Sequence, residues 1–161
     1  MSDLNFILLA NYNRITNENM NSIIKKISED QWNKPFNGYY KSIRELCLHI
    51  FICDLNMLNK IKTMHHLNVS NDKILNHKFE YLENKFNSIN EYIAMRKELD
   101  DFIIKLINDI YDLDNVKLER KIEPSLMDMF NHETFHRGMI SSYLEMLDIK
   151  NRIFRNVRSR K

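Results

Sequence analysis

Two glycines and two prolines are all that interrupt 161 residues, and this scarcity of chain breakers limits the fold more than any other feature. Sheet-rich chains need turn residues at each reversal. A chain so poor in them is expected to be all-α, built from long helices with few breaks. Apolar residues make up 43% of it, enough for one proper core, and the length suits one domain better than two. The richness in Asn, Ile and Lys fits an AT-rich genome and carries no functional reading.

Helical spacing then divides the chain into four segments. The first, about Asp3 to Ser28, carries Leu4, Leu8, Tyr12, Ile15, Ile23 and Ile27 mostly on one face. Pro35 and Gly38 mark the stretch Trp32–Lys41 as a break. The second segment opens with Ser42 and Glu45 at capping-box spacing, followed by an apolar stripe of Ile43, Leu46, Ile50, Cys53, Met57 and Ile61. The pattern weakens over His65–Asn87, although Lys73–Asn84 has room for a short helix. Ser88 and Glu91 open the third segment, with Ile89, Tyr92, Ile93, Leu99, Phe102, Ile103, Leu106 and Ile110 inside. Asn115–Pro124 reads as a connector with a β-like run at Val116 and Leu118. The fourth segment is expected to be capped by Ser125 with Asp128 and to run to about Asp148.

Four amphipathic helices of similar length imply a four-helix bundle over residues 1–149. Residues 150–161 are left as a basic tail or short helix, since Arg152, Arg155, Arg158, Arg160 and Lys161 crowd it. Short links make the first and last helix pairs antiparallel. The long crossover between helices two and three permits those two to run parallel. A net charge of +2 is too small to argue for nucleic acid. The apolar run Phe6–Ala10 lacks the flank and cleavage site of a secretion signal, and no run approaches membrane-spanning length. The expectation is a cytoplasmic protein with neither membrane nor nucleic acid as partner. Cys47 and Cys53, six residues apart on a helix, point to different faces and are not expected to bridge.

The chemistry-bearing residues concentrate in Asn131-His132-Glu133-Thr134-Phe135-His136-Arg137-Gly138. His132 and His136, four apart, project from one helix face and can present two nitrogens to one metal, or simply be polar groups at a helix edge. His49 lies at the margin of the second segment's apolar face, where a lone His is usually a satisfied core residue. Bundles nevertheless build metal sites from inward side chains on facing helices. His65, His66 and His77 fall in the crossover and read as surface residues.

His132-Glu133-x-x-His136 is literally the zincin string, with Glu133 in the place of the general base. The extended metzincin pattern would need Gly at Met139 and His at Ser142. Other zincins take a third ligand well downstream, whereas Glu145 stands only nine residues past His136. A protease is not expected.

Four short motifs point elsewhere. Tyr12-Asn13-Arg14-Ile15-Thr16-Asn17, Ser42-Ile43-Arg44 leading to His49-Ile50 and Asp54, Arg96-Lys97-Glu98-Leu99-Asp100, and Asn131-His132-x-Thr134-x-His136-Arg137-Gly138 occur in this order over about 140 residues. Together they resemble the helix signatures of the DinB superfamily, the DinB/YfiT-like metalloenzymes. The resemblance implies an up-down-down-up bundle and a three-histidine metal site on His49, His132 and His136. Asp54 and Glu133 are the candidate catalytic carboxylates, as a base or as partners of the ligating imidazoles, the alternative being a helix-surface carboxylate or a salt-bridge partner, above all for Glu133. Arg137 is expected to tie helices together in preference to binding an anion. The family often has Trp at Met57, His at Phe135 and Gln at Met139, departures that touch the substrate pocket and not the ligands.

The resemblance further implies a relative of bacterial thiol S-transferases, which use low-molecular-weight thiols such as mycothiol or bacillithiol. One divalent ion, of zinc, nickel or iron, would activate the thiol, and the chain's own cysteines would be bystanders. The expected partners are a small-molecule thiol and an electrophile, with a homodimer left open. The alternatives are a metal-binding stress or sensor protein without turnover, and a hydrolase using metal-bound hydroxide.

Overall fold

In the computed structural model, which describes residues 5–69 and 72–153, the described residues contain helices and no strand. They are α1 (Phe6–Ile24), α2 (Glu29–Asn33), α3 (Ile43–Met64), α4 (Phe79–Lys85), α5 (Ile89–Asp112) and α6 (Val116–Glu145), with a 3-10 turn over Asp72–Asn76. α1 packs mainly on α5 and α3 on α6, while α1 and α5 each also touch α6.

Two expected caps are present. Ser42 accepts a hydrogen bond from the Glu45 N–H at 3.1 Å and Ser88 accepts one from Glu91 at 3.4 Å, starting α3 and α5. Neither closes a reciprocal box, because the Glu45 carboxylate accepts from the Lys41 N–H and the Glu91 carboxylate pairs with Lys85. Along α3 the stripe of Ile43, Leu46, Ile50 and Ile61 is buried as its spacing requires. Each such side chain removed from water stabilises the fold by about 1.5–3 kcal/mol.

α1 departs from the sequence reading. Leu8 and Tyr12 are exposed, and the buried face carries Ala10, Asn13, Thr16, Asn17, Met20, Asn21 and Ile24 instead. Leu4 lies outside the described residues. The helix also stops at Ile24, because Ser28 is the N-cap of α2 and forms a full capping box with Gln31. Trp32 is therefore no loop residue. It is buried, and its indole N–H donates to the Phe86 carbonyl at 3.0 Å.

The connector expected at Asn115–Pro124 is helical. Asn115 caps α6 by accepting from Leu118, and the buried series Ile122, Leu126, Met129 and Phe130 runs through the expected Ser125 start without a break. Pro124 sits inside this helix on its exposed side, where water can take the carbonyl bond its missing N–H leaves open. Packing along α6 outweighs one breaker. Asp114, at φ 47°, makes the tight turn from α5.

The crossover is anchored. Ile74, Leu75, Leu82 and Phe86 are buried, Asn59 donates to the Leu75 carbonyl, and Arg44 donates to the carbonyls of Phe86 and Glu83. Past α6, Asn151 bonds to Ser141 and Ile153 is buried. The basic residues from Arg155 onward lie outside the described residues.

Candidate metal centre

His49 leaves α3 towards α6, and His132 and His136 leave α6, one turn apart, towards α3. Their Nε2 atoms converge: His49 Nε2 is 3.0 Å from that of His132 and 3.2 Å from that of His136. The three residues each offer one ring nitrogen to a group whose atoms lie within 4.8 Å of one another and could hold a metal ion. Each neutral ring offers one acceptor nitrogen and one N–H. A shared N–H can serve one neighbour well, whereas one cation can satisfy all three lone pairs. Two nitrogens about 2.0–2.1 Å from a tetrahedral ion would stand about 3.3–3.4 Å apart, close to the observed separations.

The electrostatics suit neutral ligands. Burial lowers the pKa of all three imidazoles below 6.5, taking His136 to about 4 with the further push of His132 and His49. At neutral pH the rings carry no proton that a cation must displace. His65, His66 and His77 are not in the group. His66 is exposed, and His77 stacks on Tyr81.

Two neighbours went unnoticed in the sequence as parts of this site. The Tyr40 ring lies 4.4 Å from the ring of His49 and edge-on to His136 at 5.4 Å. Its place depends on Gly38. A Cβ there would stand 2.1 Å from the Tyr143 hydroxyl, which donates to the Tyr40 carbonyl at 2.7 Å. Phe36 stacks on the same Tyr143 ring at 4.1 Å, so the break between α2 and α3 is pinned onto α6. The second neighbour is Cys53, whose sulfur lies 3.7 Å from both ring nitrogens of His49. Burial first, then Asp54, raises its pKa. Cys47 is buried elsewhere, and burial pushes its thiol up to about 12. The two cysteines are not bridged. Cys53 also lines a mostly apolar cavity of about 360 Å³ with Met57, Met129 and His132, where Lys60 and Asp128 add opposite charges.

Asp54 and Glu133 are not hydrogen-bonded to the imidazoles. Both are fully buried in a network joining α1, α3, α5 and α6. Glu133 accepts from Asn13 at 2.9 Å, Asn17 at 3.2 Å and Arg137 at 3.0 Å. Arg137 also donates to the side-chain oxygens of Asn13 and Asn17, so it ties α6 to α1. Asp54 accepts from Arg96 at 2.6 Å, and Arg96 donates again to Asp100, which Asn17 also reaches. The network thus holds one more carboxylate than guanidinium. Burial, then the charge of Glu133, raises Asp54 well above the ordinary carboxylate range despite Arg96, and burial takes Asp100 to about 6.

The motif residues Asn13, Asn17, Asp54, Arg96, Asp100 and Arg137, scattered along the sequence, meet in this one network. The DinB family model matches residues 1–147. The chain belongs to the DinB family. No curated protein and no solved structure matches it. Within this family member, the motif positions divide into two sets: three converging imidazoles, of which His132 lines the cavity, and a charged network that holds the helices presenting them.

Proposed function

We propose that this DinB-family protein is a metal-dependent transferase that activates a low-molecular-weight thiol at His49, His132 and His136. The observation that carries the reading is the convergence of three Nε2 atoms beside an apolar cavity. A divalent ion held there would supply a Lewis acid that lowers the pKa of a bound thiol or water towards neutrality. Zinc, nickel and iron all suit three imidazoles, and one ion per chain is expected.

The chain's own groups do the rest. The cavity walls of Met57, Met129 and Cys53 receive the apolar part of an electrophile next to His132, while Tyr40 shields the other side of His49. Glu133 acts through the buried network that holds α6, and Asp54, which also lines the cavity, through its pairing with Arg96. We further infer an up-down-down-up four-helix bundle. Cys47–Tyr92 and Asp54–Arg96 pair α3 with α5 in the same direction, whereas His49–His136 and Met57–Met129 pair α3 with α6 in opposite ones. No described helix is long and apolar enough to cross a membrane, and we place the protein in the cytoplasm with small molecules as its partners.

The test loads the protein with each metal, adds an epoxide or halogenated electrophile, and supplies bacillithiol, mycothiol, glutathione or coenzyme A separately. A rate enhancement requiring both the thiol and His136, and absent in His136→Ala, is expected. Product without any thiol would replace the reading with metal-hydroxide hydrolysis. Tight metal binding without turnover for any thiol would favour a non-catalytic metal-binding protein. Retention of metal by His49→Ala at wild-type affinity would overturn the three-histidine site itself, since such a site has no redundant ligand.

A further inference from the structure

We propose that Cys53 is a fourth, displaceable metal ligand, closing the site through its sulfur until a co-substrate thiol takes its place. The proposal rests on the three-histidine reading above and adds to it a residue from the chain itself. Cys53 stands one helical turn after His49 on α3, so both side chains leave the same face. Its sulfur is 3.7 Å from His49 Nε2, the same atom that lies 3.0 and 3.2 Å from the other two imidazole nitrogens. A sulfur about 2.3 Å and a nitrogen about 2.0 Å from one tetrahedral ion would be about 3.5 Å apart. Cys53 therefore sits next to the nitrogen at the centre of the cluster, but equally far from His49 Nδ1 and outside the group the three imidazoles form, so it reaches a ligating position only by turning about its Cα–Cβ bond.

The surroundings fit exchange and not permanent closure. Cys53 is partly exposed and shares its cavity with His132, so the side of the cluster it occupies is also the side a small molecule enters. The sulfur contacts His49 and no other imidazole among the described residues, and closing on an ion takes a rotation about its Cα–Cβ bond. Ligation by Cys53 would release its thiol proton to solvent and change no oxidation state. An incoming thiol would reverse this: it gives up its own proton and Cys53 regains one. Soft sulfur for soft sulfur is a near-even exchange, whereas a lone water would compete poorly with Cys53. The resting site is then protected from hydrolysis until the proper co-substrate arrives.

Cobalt(II) reads this out without any turnover. Titrated into wild-type protein, it should give tetrahedral visible bands together with a near-ultraviolet thiolate-to-cobalt charge-transfer band. Cys53→Ser should keep the visible bands and one cobalt per chain while losing the charge-transfer band entirely. Cys47→Ser should keep both. X-ray absorption of the zinc-loaded protein should show one sulfur neighbour at about 2.3 Å beside nitrogens at about 2.0 Å, and no sulfur in Cys53→Ser. Cobalt binding without the charge-transfer band in wild type, or a band that survives in Cys53→Ser, overturns the proposal and leaves the three histidines standing. If wild type binds no cobalt and no zinc, the three-histidine reading itself falls.

Discussion

Two sets of polar side chains lie close together between the same helices, and they are satisfied in opposite ways. The imidazoles of His49, His132 and His136 are uncharged and point their nitrogens at one another, with His132 at a cavity. His136 Nδ1 has no hydrogen-bond partner among the described residues. The network behind them is charged and fully buried, yet Glu133 and Arg137 have their oxygens and terminal nitrogens bonded to Asn13, Asn17 and each other. A site waiting for a ligand keeps lone pairs unspent. A structural cluster spends most of them on neighbouring helices, with Asp54 Oδ1 and Arg137 Nε as the exceptions here. The contrast predicts that the two sets fail differently when cut.

The largest effect should come from the network. Arg137→Ala leaves Glu133 buried with one cation fewer and strips Asn13 and Asn17 of a shared donor. Removing one partner of a buried ion pair costs about 3–5 kcal/mol. Urea denaturation of the metal-free variant should show that loss. A cost below about 1 kcal/mol would mean that water reaches the cluster and that the network is not the clamp described above.

The imidazole set should behave in reverse. His136→Ala removes a ring that makes no fixed bond at Nδ1, so metal-free stability should fall by about 1 kcal/mol, well short of the cost of Arg137→Ala. In wild type, zinc at a hundred times its dissociation constant should stabilise the fold by about 2.7 kcal/mol, and that increment should vanish in the variant. Thermal melts with and without zinc separate the two contributions. A large loss in the metal-free variant would move His136 into the structural set.

The sequence exposed these sets unequally, for physical reasons. The histidine pair is visible because four-residue spacing on a helix fixes two side chains on one face, and His49 joined it through the motif resemblance. The buried face of α1 was misread because periodicity counts apolar residues, while here Asn13, Thr16, Asn17 and Asn21 are the buried ones. The burial of Asn13 and Asn17 is offset by partners some 83 to 124 residues away, which no local window contains, while Thr16 donates back to the Tyr12 carbonyl. Pro124 misled for the opposite reason: a breaker on an exposed helix face costs less than the packing of Ile122 and Leu126 on either side of it returns. Tyr40 was passed over as a site residue because its nearness to His49 follows from the loop pinned by Gly38 and Tyr143, a tertiary feature, whereas Cys53, four residues after His49 on one helix, was within reach of the spacing but was read as part of the apolar stripe.

The smallest expected effect probes the network's excess of carboxylates. Burial is the main cause holding Asp100 at about 6 against an ordinary 3.8, with Arg96 opposing it. A folded-state pKa above the unfolded value means that the fold prefers the protonated acid. The stabilisation from that proton is complete below pH 3.8 and is lost as pH rises through about 6. Asn cannot titrate, so in Asp100→Asn this loss is absent. The stability of wild type relative to the variant should therefore fall between pH 4 and pH 7, whatever the absolute cost of the substitution. The full shift corresponds to about 3 kcal/mol. Asp54 also sits above the ordinary range and gains freedom to ionise once its neighbour's charge is gone, so a net change on the order of 1 kcal/mol is expected. Chemical denaturation of both proteins at several pH values, without metal, measures it. A difference that grows with pH would show that Arg96 outweighs burial, and that the network carries its full negative charge at neutral pH.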